Sequence, residues 1–458
     1  MATVRRAFVE FLRLPLAIVA GFVLLAAGAA LLDHSGGAGA LEPVHAALRR
    51  YFFRNSESTS GLLGTIAGSV ITVTSITFSL LLLAVQQAAT ALTPQVYDQF
   101  LRRRVNQLYF GFFVGLALYT LVILASVDRP YNPVFGAALA LVGIVVALML
   151  MILLLYTTIN QMRPVVVIDA IHDHVLLARR CQREWLARTR STARMPAASA
   201  VAIVRAEEHG YVVGIDVAAL AAIATPDRGE VEIVVPVSLG TFIAFGDVLA
   251  EIRATALADR DDAEGRVRQA IRVEQQRDLD TDPGYGIEQL AIIAWTSVST
   301  AKSNPAAGLL VLHSLRDLMA RWSADDAERE LRVDAPEARV VYVDDVFARL
   351  LDAFETIAVV ASESIQPQTM AEIARSFAVL FDRLPEPQRA RAEDVIERSL
   401  AALGDHVLTA ELQRALGELV DALRRAGRSE AAARVDAAVH ALARSVGKLG
   451  SRATRAVR

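Results

Sequence analysis

The sequence predicts a membrane α-helical protein, four transmembrane helices plus a cytosolic α+β domain with a small β-barrel-like module and a C-terminal helical bundle. Three observations predict it. Hydrophobic residues make up 54% of the 458 residues and charged residues only 21%, below the usual roughly 25%, with a mean hydropathy of +0.38. The apolar excess is concentrated in four charge-free windows that end at Tyr156, each close to the length a bilayer core requires. Past Met162 those windows stop, arginine becomes frequent, and short β-rich runs give way to amphipathic helical periods. The net charge of −3 gives no pull toward nucleic acid, so no nucleic-acid partner is expected. Cys181 is the single cysteine, which excludes an internal disulfide framework and any zinc module built on paired cysteines.

The expected spans are Leu14–Leu32, Leu62–Val85, Leu108–Val127 and Val134–Tyr156. The first is followed by Ala38-Gly39-Ala40, which resembles a signal-peptidase site, but its apolar run exceeds the roughly 7–15 residues of a signal h-region and reads as an uncleaved anchor. Four spans put both termini on one side. Arg5, Arg6, Arg13, Arg102, Arg103, Arg104 and Arg163 mark that side as cytoplasmic, against Arg49, Arg50 and Arg54 in the first connection. The short Asp128–Pro133 link makes the last two spans an antiparallel hairpin.

The second span carries a pattern. On a helical wheel Gly61, Gly64, Thr65, Gly68, Ser69, Thr72, Ser75 and Ser79 share one face, interrupted by Ile76 and Leu83 and continued by Gln86, Gln87 and Thr90. Small residues there let helices approach closely and bond through hydroxyls. The same stripe suits a water-filled path, because hydroxyls and amides replace part of an ion's hydration shell. Both readings stand, and both are satisfied if several copies of this helix surround an axis. No Asp, Glu, Lys, Arg or His lies within the spans, which argues against a proton-coupled pump. Thr93–Leu101, followed by Arg102, Arg103 and Arg104, reads as a short amphipathic segment whose arginines meet anionic lipid or anchor the topology.

The run Gly64-x-Ile66-Ala67-Gly68-Ser69-x-Ile71-Thr72-Val73, with Phe78-Ser79, Gln86-Gln87, Thr93-Pro94, Phe100-Leu101-Arg102 and Gln107 before Gly111, resembles the bacterial predicted membrane proteins of domain-of-unknown-function family 2254. A second block, Arg268 to Ala307, is similar to the same family through Arg277-Asp278, Asp282 to Gly286, Ile287, Gln289-Leu290, Ile293-Ala294 and Ser299 to Pro305. From the start of the first block to the end of the second the resemblance spans about half the chain. The resemblance implies a four-span membrane domain, a cytosolic domain and the bacterial inner membrane, but no activity. Where the family shows Asn-Asp-Pro, this chain has Ser303-Asn304-Pro305; Asn304 reads as a cap for a helix that starts at Pro305.

The expected organisation is a membrane domain at 1–161, a juxtamembrane helix and linker at 162–200, a small β module at 201–276, a helical segment with the second block at 277–330, and a C-terminal helical region with a basic tail at 331–458. Strand-like runs are Val201–Arg205, Gly210–Ile215, Glu230–Val235 and Val248–Arg253, with a short helix at Val217–Ile223. Gly240 and Gly246 bracket a tight turn and suit positive φ rather than phosphate binding, since no dinucleotide or Walker pattern is present. Helices follow at Val346–Ser362, Pro367–Leu384, Pro387–Leu403, Thr409–Gly427 and Ser429–Val446.

Asp278, Asp280 and Asp282 alternate as carboxylates around a cation do, but Pro283 stands where a calcium loop needs Gly and Gln289 where it needs Glu. A solvated turn that caps the next helix is the plainer reading. His172 and His174 sit two apart on a helix and face different ways. No catalytic motif, cofactor or resident metal is expected. The expected partners are the lipid bilayer, further copies of the chain and a small ion or solute. The expected function is an oligomeric channel or transport protein with a cytosolic regulatory domain. The alternative is a membrane-anchored sensor or scaffold whose cytosolic domain binds a ligand or protein partner.

Overall fold

The computed structural model describes residues 2–34, 42–91, 104–128, 131–161, 163–224, 230–255, 259–299, 305–331, 338–404 and 406–445. The chain divides into two compact units, 1–166 and 167–458. In the first lie α1 (Ala2–His34), α2 (Glu42–Tyr51), α3 (Ser56–Ala91), α4 (Arg104–Ala125) and α5 (Val134–Gln161). Four of these, α1, α3, α4 and α5, carry windows long and apolar enough to cross a membrane, in agreement with the four expected spans. A helix satisfies its own backbone where no water is available, so composition fixes the conformation here.

Helix α4 is the centre of that unit. Its Tyr109, Phe113, Leu116, Tyr119 and Ile123 are buried against residues of α1, α3 and α5. Gly111 and Gly115 let α1 come close: a Cβ at Gly111 would stand 2.9 Å from the Pro15 Cα, and one at Gly115 would strike the Phe22 ring. The helix ends are tied by one carboxylate. Asp33, with a fully buried side chain, accepts the Phe135 N–H at 2.8 Å through Oδ1 and the Gly136 N–H at 3.0 Å through Oδ2. It thereby caps the amino end of α5 from the end of α1, where the helix dipole favours a negative charge. Tyr119 donates to the Gly136 carbonyl at 3.0 Å and Asn132 to the Phe53 carbonyl at 3.0 Å, closing the same end.

The second unit opens with α6 (Pro164–Leu186) and continues with β1 (Ala200–Arg205), β2 (Gly210–Ile215), α7 (Val217–Ile223), β3 (Val231–Val235), β4 (Phe242–Ile243), β5 (Val248–Ala254), α8 (Arg260–Ala270) and β6 (Ile271–Glu274). Then come α9 (Pro283–Val298), α10 (Pro305–Leu331), β7 (Val340–Tyr342), α11 (Val346–Glu363), α12 (Pro367–Leu380), α13 (Glu386–Ala401), α14 (Ala410–Arg425) and α15 (Ser429–Ser445). The β-barrel-like module is corrected: the strands form two open sheets, β1-β5-β3-β7 and β4-β2-β6. Two pairings prevent closure. β2 turns away from β1 to pair with β6, and β7 adds parallel to β3, on the side of β3 that a barrel would need for its closing strand. Val204, Val212, Leu220, Ile233, Ile252 and Val267 fill a common core between the strands, α7 and α8.

A buried ion pair fixes the larger sheet. Arg190 and Glu232, 5% and 3% exposed in their side chains, bind each other, and Glu232 also accepts the N–H groups of Arg194 at 3.0 Å and Met195 at 3.1 Å. The Arg190 backbone meanwhile donates to Val340 at 2.9 Å and accepts from Tyr342 at 2.8 Å, so the segment before β1 edges β7. Removing one partner would leave a buried charge uncompensated.

Gly111→Ala is expected to lower the stability of the detergent-solubilised protein by about 1–3 kcal/mol, the usual cost of overpacking. Gly64→Ala, which meets nothing within 4 Å inside the protomer, is expected not to destabilise the protomer and to gain at most the roughly 1 kcal/mol by which Ala exceeds Gly in a helix. Paired thermal-melting curves of the two variants check this.

Candidate functional site

Helix α3 is built with two unlike sides. Thr59, Leu63, Ile66, Val70 and Thr77 recur at helical spacing and are buried in the first unit. The other side holds Gly64, Thr65, Gly68, Ser69, Thr72, Ser75, Ser79 and Gln86, and every one of them is exposed. Gln87 lies within α3, with its side chain outside the described ones. Gly61, Gly64 and Gly68 meet no other atom within 4 Å of a built Cβ. Thr65 donates to the Gly61 carbonyl at 2.9 Å and Thr72 to the Gly68 carbonyl at 2.8 Å, so these hydroxyls are satisfied within their own helix. The three glycines of the stripe therefore take no part in close packing inside the protomer, while the close-approach glycines of this unit sit on α4 and α5. Of the arginines expected at the lipid interface, Arg104 is exposed at the first position of α4, while Arg102 and Arg103 lie outside the described residues, as does Asn304.

In the second unit the Arg268–Ala307 block builds an ion-pair knot around the Ser238–Thr241 turn. Asp282 caps α9 by accepting the Tyr285 N–H at 3.0 Å, and its other oxygen takes the Arg277 Nε–H at 2.7 Å. Arg277 also binds Glu288 and stands 4.6 Å from the Tyr285 ring centroid. The Arg277 and Asp282 side chains are only 7% and 2% exposed. Burial lowers the Arg277 pKa, but bonds and charge from Asp282 and Glu288 outweigh it and hold the guanidinium above its ordinary value. Gly240 lies against this pair with φ +81°, leaving no room for a Cβ beside Asp282 Oδ2. The turn is gripped from its other side as well. The Leu239 N–H donates to the Tyr342 hydroxyl at 3.1 Å, and Arg349 donates to the Leu239 carbonyl at 3.1 Å. Burial pushes the Tyr342 phenol far up, so it stays protonated. The Arg277, Asp282 and Tyr342 groups at its centre are buried while Glu288 reaches the surface, and together they position the turn against α9.

The three alternating carboxylates go to different partners. Asp278 accepts the Asp280 N–H at 3.2 Å, Asp280 reaches His174 at 2.8 Å, and Asp282 serves Arg277. His172 points the other way, to Asp317 at 2.9 Å, which also accepts from Arg321 at 2.6 Å. Among the described residues no group of three or more His, Cys, Asp or Glu side chains is arranged to hold a metal ion. Cys181 is exposed on α6. Arg425, Arg428 and Arg434, read in sequence as part of a basic tail, are paired with Asp382, Glu386, Glu393 and Glu397.

Sequence reasoning missed Asp33, the Arg190–Glu232 pair and a hub at Glu372, which takes Arg316 at 3.0 Å, Arg375 at 2.6 Å and His313 at 3.2 Å. Only Asp33 left a signal, a lone carboxylate directly after an apolar run. The other partners are brought together by tertiary contacts between distant segments.

Four membrane-length apolar helices followed by a mostly helical unit with a small mixed sheet define the class, a membrane protein. The chain belongs to DUF2254, a family of predicted membrane proteins, whose family model matches residues 9–377. It is 26% identical over 285 residues to the uncharacterized proteins Mb1321c of Mycobacterium bovis and Rv1290c of Mycobacterium tuberculosis, a match that covers 59% of this chain and 54% of each relative. The chain thus spans about half the length of the curated relatives it matches. No solved structure matches.

Gly240→Ala is expected to destabilise the protein by more than the roughly 1–2 kcal/mol of a left-handed backbone alone, because it also displaces the Arg277–Asp282 pair. Gly246→Ala, with φ +88° and open space around it, is expected to cost only the backbone part. Denaturation midpoints of the two variants measure the difference. Burial raises the Asp317 pKa, but hydrogen bonds from Arg321 and His172 outweigh it and hold it below its ordinary value of 3.8. Its stabilisation is present above that value and is lost as pH falls through the lower folded-state pKa. Asp317→Asn is therefore expected to lower stability near neutral pH and to flatten the stability profile below about pH 4, read by denaturation across a pH series.

Proposed function

We propose that this protein is an oligomeric channel or transport protein of the bacterial inner membrane. In this reading its α3 helices from neighbouring copies meet through the small polar face and surround a path for a small ion or solute. Both termini and the second unit lie in the cytoplasm, where that unit regulates the path. The observation that carries the reading is the exposure of Gly64, Thr65, Gly68, Ser69, Thr72, Ser75, Ser79 and Gln86, interrupted by Ile76 and Leu83, on a membrane-length helix whose opposite side is buried. Lipid tails offer such a face no partner better than a second small-residue helix, because close backbone approach and cross-helix hydrogen bonds are what associate helices in a bilayer. Hydroxyls and amides at the centre of such a cluster match the chemistry of a selectivity path.

A second reading is favoured by the Thr65 and Thr72 hydroxyls, whose bonds to their own helix leave less demand for water. In it the same face holds copies together without a path, and the second unit is a tethered sensor or scaffold.

Purified full-length protein in liposomes separates the two. The channel reading predicts ion or solute flux from the wild type. It also predicts that Ser69→Leu, Thr72→Leu and Ser79→Leu together reduce that flux by at least about tenfold, since each introduced side chain replaces a polar lining with an apolar constriction. A wild type that forms oligomers yet passes nothing across pH and voltage contradicts the channel and leaves the tethered reading.

A further inference from the structure

We propose that α2 and the Phe52–Arg54 segment after it bind the phosphate of an anionic lipid headgroup. Helix α2 lies between the His34 end of α1 and the Ser56 start of α3, so it sits where two membrane-length helices terminate. None of its residues is buried. Its Glu42, His45, Ala46, Arg49 and Arg50 recur at helical spacing on one face and, with Arg54, line an open hollow. The other face carries Val44, Leu48 and Tyr51, of which Leu48 packs on the core of the first unit. Tyr51 and Phe52 stay 67% and 63% exposed, as aromatic residues at a membrane–water interface do. This is the layout of a helix that lies in the headgroup zone, apolar side inward and cationic side toward phosphates.

Charge decides the occupant. Arg425, Arg428 and Arg434 of the second unit each have a carboxylate partner. Among the described residues Arg49, Arg50 and Arg54 have no ion-pair partner. Arg54 donates to the Arg50 carbonyl at 3.1 Å, and the Arg50 guanidinium stands 5.7 Å from the Tyr51 ring centroid. Glu42 is the single carboxylate lining the hollow, so the site keeps a cationic excess. His45 stands 3.7 Å from the buried Asp33 carboxylate, which positions α2 against the end of α1. Guanidiniums bind phosphate oxygens through paired N–H donors, and a phosphate that arrives on a lipid is already held at this depth.

The test uses the full-length protein in detergent, with native mass spectrometry after titration with phosphatidylglycerol or phosphatidylcholine. The wild type is expected to retain phosphatidylglycerol preferentially. R49Q/R50Q/R54Q is expected to weaken that retention by at least about tenfold, given the contribution each basic residue makes near a lipid surface. R49K/R50K/R54K is expected to keep a clear preference, because charge is preserved. Unchanged retention by the glutamine variant overturns the proposal. So does displacement of the lipid by millimolar inorganic phosphate, which would mark a free-ion site. If the glutamine variant does not fold, a salt series on the wild type decides: a preference that fails to decline as salt rises contradicts an electrostatic headgroup site.

Discussion

A polar group buried in a bundle of membrane-length helices must find its partner within the protein, and the first unit is organised by that constraint. Asp33 meets it by placing both carboxylate oxygens on backbone N–H groups that the start of α5 cannot satisfy within its own helix. One buried charge thus joins the end of α1 to the start of α5. Tyr119 and Asn132 meet it by bonding backbone carbonyls of Gly136 and Phe53 at the same end of the bundle. Thr65 and Thr72 meet it by turning onto the preceding turn of α3. What the constraint leaves over is the glycine-rich face of α3, open at Gly61, Gly64 and Gly68. Unfilled volume at a helix surface is what a neighbouring helix supplies.

The second unit solves a different problem, the attachment of a helical bundle to two small open sheets. The two sheets share one apolar core, and buried ion pairs stand at the junctions. The Arg190–Glu232 pair ties the segment before β1 to β3 and β7, and the Arg277–Asp282 pair ties α9 to the Gly240 turn. Buried pairs of this sort add little net stability over apolar packing, but they tolerate one register and penalise the others. Gly240 is required because the turn passes directly against the Asp282 carboxylate, where a side chain would collide and the positive φ would strain it.

Much of this was legible in the sequence, and the parts that were not share a cause. The four spans are read from composition because a run such as Val134–Tyr156 has no alternative fate in water or lipid. The stripe on α3 is read from its period, and its placement on an exposed side follows from the buried period of Leu63, Ile66 and Val70. The strands of the second unit are read from local β-rich runs, yet their sheet order is not. β7 is a three-residue strand, Val340–Tyr342, recruited from far along the chain, and its parallel partner β3 has no local mark of it. β6 is hidden because α8 runs directly into it at Ala270–Ile271. Asp278, Asp280 and Asp282 show the converse error risk: an alternating acidic pattern that suggests one ligand is resolved by three separate partners, of which His174 and Arg277 come from outside the turn.

The account rests on α3 meeting another α3 through the face that the protomer leaves open. Disulfide scanning in membranes tests this most directly, with single cysteines along α3 in a Cys181→Ser background. The account predicts oxidative cross-linking of whole chains from Ser69→Cys, Thr72→Cys, Ser75→Cys and Ser79→Cys, and none from Leu63→Cys, Ile66→Cys or Val70→Cys. Cross-linking that is absent throughout, or that shows no preference for the small polar face, would contradict it.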